Sequence, residues 1–233
     1  MNSNKKVVVV SGGTSGIGLA IVKKYIKNGW LVHVIGRNNN LIKDIKSKDL
    51  FFHNVNLENI DNLKLKCEKI LEISPGGPDI IVNCAGVFQL KSIENIKLED
   101  YNNIFNVNVR APIFTIKYFI DVMKNKKSSI IFNIGSSSCY SGGKLTSLYC
   151  SSKHALLGFS RSISDEFKDF GVRVCNLSPS STKTKMGKLP LASNQKYETF
   201  IDPEEVAKTL YFISKFEGNM EIKEILLNRT NVQ

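Results

Sequence analysis

Short runs of β-branched residues alternate along this chain with longer stretches in which apolar positions recur every three or four residues. That is the pattern of parallel α/β architecture. Residues 7–11, Val-Val-Val-Val-Ser, are apolar almost throughout and read as a buried strand. From residue 16 to 28, apolar side chains fall at Ile17, Ala20, Ile21, Tyr25 and Ile26, close to helical spacing, and Gly29 stops the run. The same reading places further strands at 31–35, 50–53, 80–82, 129–134, 172–177 and 222–227. It places helices at 41–45, 59–71, 98–124, 149–170 and 203–216. Ser74-Pro75-Gly76-Gly77-Pro78 is a turn by its residue types. No repeat or linker interrupts the order. The expectation is one domain over 1–233, a doubly wound, mostly parallel seven-stranded sheet with helices on both faces. The least regular stretch, 180–201, is rich in Ser, Thr, Lys and Asn and is the natural mobile loop over a site.

The first strand runs into Ser11-Gly12-Gly13-Thr14-Ser15-Gly16-Ile17-Gly18, and a helix opens at its end. Glycines there let the backbone turn tightly and approach a pyrophosphate, whose charge the helix N-terminal amides can meet. The spacing G-x-x-x-G-x-G differs from the more familiar G-x-G-x-x-G.

Composition narrows the class. A chain of 233 residues buries roughly 70–75% of its unfolded surface and needs no staples. Five cysteines, Cys67, Cys84, Cys139, Cys150 and Cys175, are an odd number without a C-x-x-C pair, against both a disulfide framework and a zinc site. The four valines after Met1-Asn2-Ser3-Asn4-Lys5-Lys6 are too few for a signal or membrane segment. A soluble, cytoplasmic protein with no metal is expected. The net charge of +11, from 32 Lys+Arg against 21 Asp+Glu, could mark a nucleic-acid or membrane binder. Such proteins cluster their basic residues, however, and the lysines here are scattered. The charge reads as a solvated surface in a chain rich in Lys, Asn and Ile, with neither nucleic acid nor membrane as partner.

The glycine spacing begins a resemblance that runs over nearly the whole chain. Ser11-Gly12 through Gly18 is similar to the T-G-x-x-x-G-x-G of the short-chain dehydrogenase/reductase family, with Ser11 in place of the threonine. Asn83-Cys84-Ala85-Gly86 resembles its N-N-A-G. Asn108 matches its helix asparagine, Ser136 falls where its serine belongs, and Tyr149-Cys150-Ser151-Ser152-Lys153 is its Y-x-x-x-K. Pro179-Ser180-Ser181-Thr182-Lys183-Thr184 resembles the P-G-x-x-x-T that follows the sixth strand, with Ser180 replacing the glycine. The resemblance implies a Rossmann-fold oxidoreductase that interconverts a small alcohol and its carbonyl compound. By resemblance, Asn108, Ser136, Tyr149 and Lys153 are catalytic, Asn108 holding a water that relays protons to Lys153. Gly12, Thr14, Ser15, Gly16, Ile17, Gly18, Arg37, Asn83, Ala85, Gly86, Tyr149, Lys153, Pro179, Thr182 and Thr184 line the cofactor site. The chain's C-terminus looks like the subgroup acting on 3-hydroxy acids, serine-type substrates and small carbonyls. The family's interface helices, here 98–124 and 149–170, imply a homodimer or homotetramer.

Residue chemistry supports the same roles. Tyr149 and Lys153, four apart at a helix start, share a face. A tyrosine ordinarily titrates near pH ~10, and a nearby ammonium is expected to lower that value, making Tyr149 a general acid or base. Ser136 would hydrogen-bond the same substrate oxygen, and the hydride would come from the cofactor. At the end of the second strand Gly36 stands where NAD-binding members carry a carboxylate, and Arg37 follows, so NADP is favoured, with NAD an alternative. Asn56, in place of a common aspartate, weakens an expected adenine contact. Lys183, Lys185, Lys188 and Lys196 point to a small, anionic substrate. His33, His53 and His154 lack ligand spacing and read as structural, as does Trp30. Two other functions compete. A dinucleotide-sensing regulator would typically lose part of the catalytic set, and a sugar-nucleotide epimerase or dehydratase needs a larger substrate domain.

Overall fold

A computed structural model describes residues 5–189, 196–216 and 218–230. The seven strands are β1 (Val7–Ser11), β2 (Leu31–Gly36), β3 (Leu50–Asn54), β4 (Ile80–Asn83), β5 (Ser129–Ile134), β6 (Val172–Pro179) and β7 (Glu224–Leu227). They form one sheet in the order β3-β2-β1-β4-β5-β6-β7, with every pairing parallel. The helices are α1 (Gly16–Lys27), α2 (Ile60–Ile73), α3 (Leu98–Phe105), α4 (Ala111–Lys124), α5 (Ser147–Phe167) and α6 (Pro203–Ile213).

Strand periodicity splits the valine run between two cores. Val8 and Val10 pack with Ala20, Ile21 and Tyr25 of α1 and Val206 and Leu210 of α6. Val9 points the other way, toward Leu63 and Ile70 of α2, Ile116 and Phe119 of α4, and Ile163 of α5. Trp30 lies in the first core, its ring edge-on to Tyr25 at 4.9 Å. Strand order reverses between β1 and β4, and in such sheets ligands bind in the crevice at the carboxyl ends of the strands at this point.

Local chemistry sets the helix ends. Gly29, at φ +79°, closes α1 while the Trp30 N–H bonds back to the Tyr25 carbonyl. Asp202 and Glu205 form a capping box ahead of Pro203 at the start of α6. One expectation fails and one is refined. Residues 41–45 do not form a helix but one isolated turn, with Lys43 N–H bonding to the Asn39 carbonyl. Only Ile42 there is buried, too little packing to offset the cost of nucleation. The helix over 98–124 keeps its expected bounds but contains a π turn at Asn106–Arg110. Pro112 has no N–H to offer the Asn108 carbonyl four residues earlier, and the chain widens there. The last strand starts at Glu224 rather than 222, and the last helix ends at Ile213 rather than 216. Within the loop region, residues 190–195 lie outside the described residues, while Met186–Lys188 and Tyr197–Thr199 are single 3₁₀ turns.

The histidines are structural. His33 Nδ1 and His53 Nε2 are 2.9 Å apart across β2 and β3, and His33 Nε2 lies 3.0 Å from Ser74 Oγ at the end of α2. His154 bonds through Nδ1 to the Cys150 carbonyl within α5.

Candidate active site

A cleft of about 1070 Å³ runs along the carboxyl ends of the strands. Gly12 after β1, Gly36 of β2, Cys84 after β4, Ile134 of β5 and Pro179 of β6 all contribute to it. Parallel strands present all their carboxyl ends on one edge, so segments far apart in sequence meet there.

The glycine turn is built for close approach. Gly12 has φ +70°, and a Cβ on it would come within 2.6 Å of the Ala85 Cα. A Cβ on Gly18 would overlap the Gly12 carbonyl. These contacts press β1, β4 and α1 together and leave the first turn of α1 open to the cleft. Ser15, Gly16, Ile17 and Gly18 line it, and the Ser15 side chain makes no capping bond. The free amides and the positive end of the helix dipole suit a bound anion.

Ser136, Tyr149 and Lys153 meet in the middle of the cleft. Ser136 caps the 3₁₀ turn Ser137–Cys139 after β5, its Oγ accepting the Ser138 N–H at 3.1 Å. Tyr149 and Lys153 lie one turn apart on α5, with the Lys153 Nζ 5.8 Å from the Tyr149 ring centroid. Nζ donates to the Ile134 carbonyl at 2.8 Å. Phe88 packs edge-on against Tyr149 at 4.8 Å.

The electrostatics correct the sequence expectation. Burial pushes the Tyr149 phenol up to about 12, and its hydrogen bond with Ser136 lowers it only in part. Burial also lowers the Lys153 ammonium below its ordinary value, with nearby Cys139 and Cys84 acting in the opposite direction. The lysine therefore does not dominate the phenol in the chain alone. Its ammonium is held on a carbonyl instead of the phenol oxygen. Cys84 is likewise raised by burial, to about 12, and stays a thiol.

Thr14, Arg37, Ala85, Gly86, Thr182 and Thr184 also line the cleft. Arg37 is exposed and makes no hydrogen bond or ion pair among the described residues. Ser180 fits without a positive φ, and its Oγ has no protein partner. Asn56 lines the cleft with its Oδ1 turned back onto the Glu58 N–H.

Two predicted residues do not reach the cleft. Asn83 is buried beneath it and donates through Nδ2 to Asn133 Oδ1 at 2.8 Å. Its register position on β4 turns it into the sheet's polar row instead of toward the ligand edge. The Asn108 side chain is fully buried. Its Oδ1 accepts the Val87 N–H at 2.8 Å, and its Nδ2 donates to the Val87 carbonyl and to Ser152 Oγ, each at 3.0 Å. It clamps the segment after Gly86 from behind, with no amide hydrogen left for a water in the cleft.

Sequence reasoning missed Val55, Leu57, Phe88, Thr146 and Tyr197, all of which line the cleft. Val55 and Leu57 follow β3 and were legible from the rule that every parallel strand ends at the site. Tyr197, over which the Lys188 Nζ sits at 4.4 Å, carries no sequence signal.

The family model for short chain dehydrogenases matches residues 6–194. A 3-oxoacyl-(acyl-carrier-protein) reductase FabG of Buchnera aphidicola is 31% identical over 226 residues, covering 92% of this chain and 91% of that protein. An uncharacterized oxidoreductase of Staphylococcus aureus strain MW2 is 25% identical, covering 94% and 95%. Among solved structures, an alcohol dehydrogenase from the archaeon Thermococcus sibiricus complexed with 5-hydroxy-NADP superposes with a TM-score of 0.87 at 22% identity, covering 97% of each chain. ElxO with NADP bound gives 0.84 at 24% identity, covering 96% of each. At those identities the two structures speak for the fold.

Proposed function

The chain belongs to the short-chain dehydrogenase family, and from that premise we propose that it is an NADP-dependent oxidoreductase interconverting a small alcohol and its carbonyl compound. The observation that carries the reading is the convergence of Ser136, Tyr149 and Lys153 in the same cleft as the glycine turn.

The residues present fit the dinucleotide. Gly12 and Gly18, where a Cβ would strike Ala85 and the Gly12 carbonyl, keep the turn tight against the cleft, the first turn of α1 offers amides for the diphosphate, and Arg37 has no carboxylate competing for it. Pro179, Thr182 and Thr184 would flank the nicotinamide end. When bound, NADP supplies or accepts the hydride.

The protein's own part is the proton. With its pKa held up at about 12, Tyr149 is a phenol at neutral pH, ready to donate to a carbonyl oxygen as negative charge develops there. Ser136 donates a second hydrogen bond to that oxygen. The Lys153 ammonium stabilises the phenolate left behind. Asn108 acts from the layer behind, fixing the strand-to-loop backbone at Val87.

Glu58 is the only carboxylate lining the cleft among the described residues, against Arg37, Lys153, Lys183, Lys185 and Lys188. Lys183 is paired with Asp202 at 3.2 Å, which leaves Lys185 and Lys188 to meet a small anionic substrate. The functional unit is read as one domain assembled into a dimer or tetramer through α4 and α5. A monomer mass by light scattering would remove the latter point. Among the described residues no helix is long and apolar enough to cross a membrane.

The test is NADPH oxidation against a carbonyl panel, with Tyr149→Phe as the decisive variant. Turnover should fall by at least a thousandfold while NADPH binding, followed by fluorescence, stays within about threefold. Retained turnover in Tyr149→Phe sinks the mechanism.

A further inference from the structure

We propose that Cys139 is a positioning residue for proton transfer, its thiol locking the Ser136 turn to the Lys153 turn of α5. This rests on the reading above that Ser136 and Tyr149 act on one substrate oxygen.

Those two groups ride on separate elements, a turn leaving β5 and a helix beginning eleven residues after Ser136. Their hydroxyls must be registered to within about 0.5 Å for both to address one atom. Cys139, only 2% exposed, sits where the elements meet. Its Sγ accepts the Ser136 N–H at 3.4 Å and donates its one proton to the Lys153 carbonyl at 3.3 Å. The Cys139 N–H returns to the Ser136 carbonyl at 2.8 Å. From the end of β6, the Ser178 hydroxyl reaches the same sulfur at 3.6 Å, while Ser178 Oγ accepts the Asn176 Nδ2–H at 2.8 Å. One thiol thus joins β5, β6 and α5.

Two features give the lock a role beyond packing. Ser136 Oγ already accepts the Ser138 N–H, so with its backbone held by Cys139 its own proton is aimed at the Tyr149 side of the cleft, where it bonds the phenol. Two other hydrogen bonds join α5 and β5: Asn133 Nδ2 donates to Ser160 Oγ further along α5, and, beside the thiol, the Lys153 Nζ donates to the Ile134 carbonyl. That link uses the reactive ammonium itself and is given up if the ammonium turns to a ligand. The bond from sulfur to the Lys153 backbone makes no such demand. Space is also tight. A Cβ on Gly135 would come within 2.9 Å of Sγ, so a larger residue at 139 has no room, whereas serine keeps both bonding directions.

The experiment uses full-length protein, NADPH and the best carbonyl from the panel. Cys139→Ala should lower kcat about tenfold with the carbonyl KM and the NADPH Kd within twofold. Cys139→Ser should restore kcat to within threefold of native. An unchanged kcat in Cys139→Ala, a loss that serine does not repair, or a parallel weakening of NADPH binding overturns the proposal. If Cys139→Ala does not fold, Cys139→Ser decides alone: kcat within threefold supports the lock, and any greater loss overturns it. Absence of turnover in the native protein defeats the oxidoreductase reading itself and the lock with it, an outcome distinct from an active native protein insensitive to position 139.

Discussion

Acid should weaken this fold from about pH 6.5 downward, because of the histidine pair between β2, β3 and α2. Burial and the neighbouring His53 hold His33 down at about 3, and burial together with Lys66 holds His53 at about 4. Both lie below the ordinary value of 6.5, so between those limits the unfolded chain binds protons that the folded chain refuses. The stability they protect is complete above pH ~6.5 and drains away as pH falls toward the folded values. Each pH unit within that window costs about 1.4 kcal/mol per histidine. At pH 5 His33 alone therefore costs about 2 kcal/mol, and His53 adds at most a similar amount because the rings share one hydrogen bond. For a chain of this size, about 2–4 kcal/mol corresponds to a fall in Tm of about 4–16 °C between pH 7 and pH 5. Thermal unfolding by circular dichroism at half-unit steps measures it. The native protein should show the fall, and His33→Gln, with nothing left to protonate at that position, should show a clearly shallower one. A flat Tm from pH 7 to 5, or an equal fall in His33→Gln, would refute the linkage. Asp100, held low by Lys91, Gln89 and Lys97, and Glu224, held low chiefly by Arg161, begin to matter only below about pH 4.5, outside this window.

Arg37→Asp should weaken NADPH binding by about 1.5–3 kcal/mol, the size of a lost charge-assisted hydrogen bond, while NADH gains. Titrating both nucleotides decides this, and tighter NADH than NADPH binding by the native protein reverses the cofactor assignment. Gly18→Ala places a methyl against the Gly12 carbonyl; nucleotide binding should be lost, with a Tm several degrees below native in differential scanning fluorimetry. Lys185→Ala and Lys188→Ala should raise KM for acidic carbonyl substrates about tenfold and leave neutral ones unchanged. Equal KM values for both classes in these variants would dismiss the anionic substrate.

Much of the fold was legible because burial on both faces leaves a mark in sequence. Val7 to Val10 could be read as a buried strand since every position in it is apolar, and the glycine turn announced itself because four glycines in seven residues exceed what a bend requires. Residues 41–45 misled because a short apolar period says nothing about whether a helix has a surface to pack on. The π turn at Asn106–Arg110 was hidden in an otherwise good helical pattern, where Pro112 was its only trace.

The site divides in the same way. Sequence by itself determined which groups of reactive type the chain carries and their order, with Ser136 ahead of Tyr149 and Lys153 one helical turn beyond, because spacing on a helix or past a strand end is a local property. Only the tertiary structure decided where each points and what it titrates like. Asn83 and Asn108 turned away from the cleft because their strand register and helix packing aim them at Asn133, Val87 and Ser152. The Tyr149 phenol moved up instead of down because desolvation by its own burial outweighed a charge whose ammonium is engaged elsewhere. Orientation and desolvation are sums over neighbours from distant parts of the chain, and those neighbours exist only once the sheet has brought its strand ends together.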